Sequence, residues 1–187
     1  MKCSIFIATS VDGYIATKNG GVDWLQPADN PQTNRQENPD MGFNRYINSV
    51  DCMIMGRNSM DKIASFNLTQ DHWPYADLEI FALSNRVKEV PGNLQGKVKI
   101  HNGDIQSLLS KLEASGFEHA YIDGGKTITS FLELGLINEM TITLVPIILG
   151  QGIRLFGNID RSVRLVQSQA EAYTNDFIQL RYHLERL

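Results

Sequence analysis

Short apolar runs recur along the first two thirds of the chain, each bounded by glycine, aspartate, serine or asparagine. Runs of this length between turn-forming residues are typical of buried β-strands. The pattern therefore predicts five buried strands, at residues 3–8, 52–55, 80–83, 98–100 and 120–122.

Two stretches between these runs have the period of amphipathic helices. In residues 105–115 the isoleucine and leucines fall on one face, Asp104 can cap the first turn, and Gly116 can end the helix. Residues 127–134 repeat this pattern and end before Gly135. The first part of the chain is thus predicted to alternate strands with helices.

After residue 138 the pattern changes to strands with no helix between them, at 139–148, 163–168 and 177–184. Alternating strands and helices followed by strands alone predict a mixed sheet with an antiparallel edge. Residues 23–40 contain three prolines and many polar residues, and connections of this length are usually functional or disordered. No repeat or linker interrupts the pattern, so we expect residues 1–187 to form a single domain.

Composition narrows the class of protein. Of the 187 residues, 42% are hydrophobic and 20% are charged, and the net charge of −4 argues against a nucleic-acid partner. The apolar run at the N-terminus is too short for a signal peptide or a membrane span. Cys3 and Cys52 lie in apolar runs, as buried thiols of a reducing cytoplasm would. No histidine or cysteine spacing typical of a metal site occurs, so we expect no metal.

Residues 119–127 read HAYIDGGKT, and the last three letters match the end of a phosphate-binding P-loop. That motif needs a glycine where this chain has Ala120, because several backbone N–H groups must surround the phosphates. A nucleotide triphosphatase is therefore disfavoured. A strand that delivers Gly124 and Gly125 to a helix N-terminus still favours an anion, so we expect another phosphorylated ligand here.

Two other predicted strands end in residues suited to phosphate. Gly56 permits close backbone approach, Arg57 offers a planar fork, and Ser59 falls in the first turn of a predicted helix. Ser84 and Arg86 follow the next strand. Each segment alone is better explained as a plain turn. Together they suggest one site, because ligands of open α/β sheets bind at the carboxyl ends of the strands.

The order of these motifs resembles the dihydrofolate-reductase-like superfamily, especially the branch that contains the reductase domain of riboflavin biosynthesis. The resemblance implies a three-layer α/β/α fold, with helices on both faces of a mostly parallel, eight-stranded mixed sheet, and NADPH as cofactor. The matching stretches are ATSVDGYIA (8–16), VDCMIMGRNSM (50–60), LSNR (83–86), YIDGGKTITSFLELGLINEM (121–140) and PIILGQGIRLFG (146–157).

The resemblance also implies a role for each cofactor-binding residue. The glycine pair would lie beneath the pyrophosphate, and the backbone of Ala8 would contact the nicotinamide. The residues expected to hold the 2′-phosphate are Arg57, Ser59, Ser84 and Arg86. The predicted cofactor set is completed by Gly56, Thr127 and, at its rim, Lys126.

The substrate side offers three aspartates. WLQPAD (24–29) resembles the segment of dihydrofolate reductase that carries the acid binding the pterin ring, which makes Asp29 the predicted catalytic acid. Asp29 is equally consistent with a polar loop. Asp12 is predicted to turn the chain rather than to catalyse, and Asp40 to cap a helix rather than to face substrate.

These features predict an NADPH-dependent reductase that transfers hydride to a small heterocycle. The substrate is left open between a 5-amino-6-(5-phosphoribosylamino)uracil-like compound, a pterin-like compound and another ring. The alternative is a non-catalytic NADP-binding protein on the same fold. The riboflavin enzyme often carries a zinc deaminase domain, whose motifs this chain lacks. We also expect a homodimer, because members of the superfamily are commonly dimers and the closing strands place apolar residues near a sheet edge.

Overall fold

Ten strands and four α-helices make up the part of the chain that this computed structural model describes, which is residues 1–25, 40–75 and 77–185. Three single 3-10 turns, Asp23–Leu25, Gln70–His72 and Gly92–Leu94, connect them. The strands are β1 (Lys2–Ser10), β2 (Tyr14–Ala16), β3 (Cys52–Gly56), β4 (Glu79–Leu83), β5 (Val98–His101), β6 (His119–Asp123), β7 (Glu139–Val145), β8 (Ile153–Arg154), β9 (Leu165–Ala172) and β10 (Ile178–Leu184). The helices are α1 (Phe43–Ile47), α2 (Arg57–Ser65), α3 (Ile105–Ala114) and α4 (Gly125–Glu133).

Eight of these strands form one sheet in the order β5-β4-β3-β6-β1-β7-β10-β9. The strands from β5 to β7 pair in parallel, whereas β10 is antiparallel to both β7 and β9. This confirms the predicted mixed sheet with an antiparallel edge. The remaining strands, β2 and β8, pair as a separate two-stranded ribbon.

Helices cover both faces of the sheet and bury two apolar layers. On one face α3 and α4 pack Leu108, Ile128 and Phe131 against strand residues such as Ile5 and Ile54. On the other face the residues around α1 and α2 are buried against the alternate strand positions; they include Ile47, Met53, Met60, Ile63 and Tyr121. The predicted three-layer α/β/α arrangement is thus confirmed. Cys3 and Cys52 are buried free thiols, and burial raises the pKa of Cys3 to about 11.

Several predicted boundaries were wrong. The helix expected at 127–134 begins at Gly125, because Gly124 takes the N-cap position, and glycine hides such a start from a propensity-based prediction. β7 ends at Val145 rather than at residue 148, and the strand expected at 163–168 is Leu165–Ala172. Nearly every residue of β9 is exposed, so its sequence lacks the alternation of a half-buried strand. The ribbon of β2 and β8 was not predicted.

Other local predictions are confirmed. Asp104 caps α3, accepting a hydrogen bond at its Oδ1 from the backbone N–H of Ser107 at 2.7 Å. The sheet edge, however, is formed by β9, and β7 lies inside the sheet between β1 and β10. The closing strands that were expected near a sheet edge, at 140–149 and 177–184, are the third and the second strand from this edge. None of the helices within the described residues has the length and apolar character needed to cross a bilayer.

Candidate active site

Three neighbouring parallel strands end at the same edge of the sheet and bring the predicted motifs together. In the register of β3, Met55 pairs with Asp123 of β6, and Gly56 pairs with Leu83 of β4. The residues that follow these positions, Gly124, Arg57 and Ser84, therefore lie side by side at the carboxyl ends of β6, β3 and β4. This is the edge at which open α/β sheets bind ligands.

The glycines allow these strand ends to pack closely. Gly124 has a φ of 88°, a conformation that favours glycine, and a β-carbon on it would collide with the Ser59 hydroxyl. A β-carbon on Gly56 would lie 2.9 Å from the Thr127 Oγ1. Ser59 and Thr127 therefore fill the space beside the two glycines. As a result, the N-termini of α2 and α4 open at one edge, and their free N–H groups favour an anion there.

Gly125 is needed by the protein's own packing. It is buried, and a β-carbon there would lie 2.6 Å from the backbone oxygen of Arg154 and 3.1 Å from that of Leu155. The Leu155 N–H in turn donates to the Gly13 oxygen at 3.0 Å. The loop at 149–156 thus contains β8 and holds the start of α4 in place. Lys126, next to Gly125, is exposed.

Two exposed guanidinium groups border this edge. Arg57 donates from Nη1 to Asp61 Oδ2 and from Nη2 to Asn58 Oδ1, both at 3.1 Å. Ser84 Oγ accepts the backbone N–H of Arg86 at 3.3 Å and that of Val87 at 3.0 Å, so Ser84 shapes the turn that presents the exposed Arg86. The strand ends therefore combine glycines, hydroxyls and arginines.

Asp123 is a candidate functional residue that the sequence reasoning missed. Burial raises the pKa of its carboxyl group, although hydrogen bonds from the Ser59 side chain, the Tyr121 hydroxyl and the Gly124 N–H act in the opposite direction. The Tyr121 hydroxyl lies 3.2 Å from Asp123 Oδ1 and 3.0 Å from the Phe6 oxygen. The sequence did contain a signal for Asp123. An acid that directly precedes a glycine pair, at the end of an apolar strand, is expected to lie at the edge of the sheet where ligands bind.

A cavity of about 280 Å³ lies on the face of the sheet that α1 covers. In the register of β1, β7 and β10, Phe6 pairs with Thr141, and Thr141 pairs with Arg181, so these three side chains form its floor. Asp123 lies in the same row, on the other side of Phe6. Ser4 of β1 pairs with Tyr121 of β6, and two residues further along these parallel strands are Phe6 and Asp123. Ala8 projects from this face too, one row nearer the ligand edge, where it pairs with Thr143.

The structure describes two of the three aspartates that the sequence analysis considered for the substrate side. Asp29 lies outside the described residues. Asp12 accepts hydrogen bonds from Ser10 Oγ at 2.7 Å and from the Leu149 and Gly150 N–H groups, which confirms its role in the chain turn. Asp40 accepts the N–H groups of Gly42 and Asn44 at the start of α1, as a capping residue does.

These donors fit a phosphorylated dinucleotide. A pyrophosphate needs close backbone approach and N–H donors, which the Gly124 turn and the start of α4 offer. An additional phosphate monoester needs cationic forks, and Arg57 and Arg86 are exposed beside it. Since the three strand ends are adjacent, one extended ligand can reach all of these groups.

The chain is similar to known proteins both in sequence and in structure. The sequence profile of the RibD C-terminal domain matches residues 2–179. A crystal structure of a protein from Shewanella sp. PV-4, provisionally described as a riboflavin biosynthesis protein, is 41% identical, covers 100% of both chains and superposes with a TM-score of 0.88. The uncharacterized protein YyaP of Bacillus subtilis (strain 168) is 26% identical over 95% of this chain and 92% of its own. Dihydrofolate reductase from Enterococcus faecalis, solved with NADP(H), shares the fold at 13% identity and a TM-score of 0.63, over 98% of this chain and 96% of its own.

Proposed function

The chain belongs to the RibD C-terminal domain family, and from this premise we propose that it is an NADPH-dependent reductase. The observation that carries the proposal is the convergence of Gly124, Arg57 and Ser84 at one sheet edge. NADPH would supply a hydride for a carbonyl, imine or ring C=N of a small heterocyclic substrate. The family relationship supports a reductase, and the residues at the edge support the choice of cofactor.

In this proposal the described residues bind and orient the cofactor. The start of α4 receives the pyrophosphate through its N–H groups, and Arg57 and Arg86 pair with the 2′-phosphate. Ser59 supports the Gly124 turn, while Ser84 shapes the turn before Arg86. The backbone of Ala8 faces the nicotinamide. NADH, which lacks the 2′-phosphate, would leave both arginines without a ligand.

The substrate would lie on the α1 side of the same edge, because Phe6 and Ala8 both project from that face. Asp123 is the carboxyl group of the described residues best placed to hold a proton there. Its raised pKa keeps a larger fraction protonated near neutral pH than an exposed aspartate would have. Asp29, which lies outside the described residues, is the second candidate proton donor.

Assembly and location complete the proposal. We expect a twofold homodimer formed through the β9 and β10 side of the sheet, where Leu165 and Ile178 are exposed. Light scattering that gives the monomer mass of 21.0 kDa at micromolar concentration would exclude it. Two buried, unpaired cysteines suit a reducing compartment, and we place the protein in the cytoplasm.

The test compares cofactors first and substrates second. Calorimetry should show NADPH binding at least about tenfold tighter than NADH, since charge-assisted contacts to the 2′-phosphate are lost in NADH. A screen of NADPH oxidation against pterins and aminouracils, each with and without a phosphate, then identifies the substrate class. Equal affinity for both cofactors would overturn the cofactor assignment. Tight NADPH binding without turnover of any ring compound would favour the non-catalytic alternative.

A further inference from the structure

The sheet opens between β1 and β6 at the ligand edge. The register of these two parallel strands ends where Ser4 faces Tyr121. Beyond this pair β6 continues beside β3, and β1 continues beside β7. Phe6 and Asp123, two residues further along, therefore lie on opposite sides of the opening.

Tyr121 bridges the opening with its hydroxyl group. Its side chain is 5% exposed, and the hydroxyl donates to the Phe6 oxygen at 3.0 Å. That oxygen lies beyond the last pair of β1 with β6, and a strand oxygen that has left its ladder needs another partner where water is excluded. The same hydroxyl lies 3.2 Å from Asp123 Oδ1. One phenol thus connects the two sides.

The Tyr121 hydroxyl has one proton for two acceptors. The Phe6 oxygen accepts in the same way at every pH. Asp123 is a weak acceptor when protonated and a strong one when ionised, because hydrogen bonds to a charged group are about twice as strong as neutral ones. The phenol proton therefore lies towards Phe6 while Asp123 is protonated, and it turns towards Asp123 when that carboxyl group ionises.

Tyr121 keeps its own proton in both states. Burial raises the pKa of its hydroxyl well above the ordinary value, and Asp123, Tyr75 and Tyr46 raise it further. Asp123 itself is faced by the Ser59 side chain on α2 and by the phenol of Tyr75, which are neutral groups at physiological pH. A carboxylate at Asp123 is therefore stabilised by neutral donors, and Tyr121 is the donor that reaches it from across the opening.

This arrangement acts when Asp123 gives its proton to the substrate. The O–H bond of the carboxyl group breaks, the proton binds to the substrate heteroatom, and the electron pair stays on Asp123 as a negative charge. The proposed cofactor supplies the hydride, and water returns a proton to Asp123 before the next turnover. A donor that turns towards the carboxylate as its charge develops stabilises the transition state more than the ground state.

We propose that Tyr121 is a positioning residue for proton transfer, whose hydroxyl turns from the Phe6 oxygen to Asp123 as that acid gives up its proton. Tyr121 is buried and acts on the substrate through Asp123. It also holds the carboxyl group at the opening between β1 and β6. This inference rests on the proposed reductase function, because it assigns a role within that reaction.

The first test needs neither substrate nor cofactor. In the full chain, isotope labels in the Asp123 carboxyl group, the Tyr121 ring and the Phe6 carbonyl group are followed by NMR over the pH range in which the fold is stable. All three signals should change with one midpoint, because ionisation of Asp123 moves the phenol proton away from Phe6. Constant Tyr121 and Phe6 signals during the Asp123 titration, or an Asp123 signal that does not titrate, would overturn the inference.

Tyr121→Phe removes the hydroxyl and keeps the ring. The midpoint of the Asp123 titration should move to higher pH in this variant, because the carboxylate loses a hydrogen-bond donor. Tyr46→Phe is the matched control, since the Tyr46 ring contacts Tyr121 with centroids 5.2 Å apart but its hydroxyl bonds Ser4 Oγ at 2.8 Å. The control should leave the midpoint in place. An unchanged midpoint in Tyr121→Phe, or equal shifts in both variants, would assign Tyr121 to packing alone.

Kinetics with the substrate identified by the screen test the catalytic step. Tyr121→Phe should lower kcat about tenfold or more, move its decline to higher pH, and change KM less than about threefold. In an Asp123→Asn background the same substitution should lower kcat less than about twofold, because its effect passes through Asp123. Equal losses in both backgrounds would overturn the inference. A wild type that turns over no ring compound would count against the reductase function, and the NMR titration would still decide whether Tyr121 and Asp123 exchange the phenol proton.

Discussion

Arg57 forms an ion pair with Asp61, one turn further along α2, with Nη1 3.1 Å from Oδ2. Both side chains are about half exposed, and such pairs on a helix surface are worth only a few tenths of a kcal/mol. The pair therefore holds Arg57 in place without keeping it from a phosphate. Asp61 still puts a negative charge beside the expected position of the 2′-phosphate.

Substitutions of Arg57 and of Asp61 should change the affinity for NADPH in opposite directions. Arg57→Ala should weaken NADPH binding about tenfold or more and leave NADH binding nearly unchanged, because the lost contacts are charge-assisted. Asp61→Asn should strengthen NADPH binding about two- to threefold, since it removes the competing carboxylate. Calorimetry with both cofactors measures each change. If the two variants shifted NADPH and NADH in parallel, Arg57 would not read the 2′-phosphate.

Neighbouring positions of the glycine motif should respond differently. Gly125→Ala should lower the free energy of unfolding by about 1–3 kcal/mol, because its β-carbon would meet the Arg154 oxygen in a packed region. Lys126→Ala, an exposed change, should stay within about 0.5 kcal/mol. Urea denaturation measures both.

Lys126→Ala also tests the triphosphatase alternative. A dinucleotide has no γ-phosphate for a lysine to hold, so NADPH affinity should fall less than about threefold. Neither the wild type nor the variant should hydrolyse ATP with magnesium. ATP turnover that disappears in Lys126→Ala would mean that the motif at 119–127 is a phosphate-binding loop of the triphosphatase kind.

Local signals predicted much of the fold. The apolar runs located the parallel strands, because strands buried on both faces have few polar residues. Asp104 located the start of α3, because its cap lies next to the helix it begins. The start of α4 could not be found in this way, since its first residue is Gly125 and the contact that requires a glycine there comes from Arg154, 29 positions away.

The candidate site likewise has one part that local sequence predicts and one part that depends on distant contacts. Gly56, Arg57, Ser84 and Gly124 follow apolar strands, so sequence order alone predicts their common edge. The cavity depends on pairing across β1, β7 and β10, which brings Phe6 next to Thr141 and Thr141 next to Arg181. No local pattern encodes that register. Gln179 likewise looks like an ordinary strand residue until Met41 and Arg181, to which its side chain is hydrogen-bonded, are placed around it.

His119 should make stability depend on pH. Its Nδ1 lies 2.8 Å from the Ser49 oxygen and must donate, so the neutral ring accepts at Nε2 from Ser4 Oγ at 2.7 Å. Burial lowers the pKa of His119 below its ordinary value of about 6.5, and nearby Lys2 lowers it further. The unfolded chain therefore binds more protons, and stability should be complete above about pH 6.5 and fall as the pH drops through the lowered pKa.

Denaturation at several pH values checks this expectation against His119→Gln, which cannot titrate. As the pH falls below about 6.5, the wild type should lose stability more steeply than the variant, although other groups contribute to both curves. Parallel curves would show that His119 has the same pKa in the folded and unfolded chains.

Asp123 carries the strongest prediction about catalysis. If its protonated carboxyl group supplies the proton that accompanies hydride transfer, kcat should be highest below the pKa of Asp123 and fall as the pH rises through it. Asp123→Asn should lower kcat by about a hundredfold or more, abolish that pH dependence, and leave NADPH affinity unchanged.

The same variant should unfold less readily at neutral pH, although it is the worse catalyst. A pKa raised by burial means that the ionised carboxylate of Asp123 destabilises the fold. The stabilising contribution of the protonated acid is complete below about pH 3.9 and is lost as the pH rises through the raised pKa, so the variant should be the more stable protein at neutral pH. Kinetics with the substrate identified by the screen, measured beside denaturation curves, separate the two effects. A variant that gained stability but kept the wild-type kcat and pH profile would assign Asp123 to the fold and leave Asp29 as the proton donor to test.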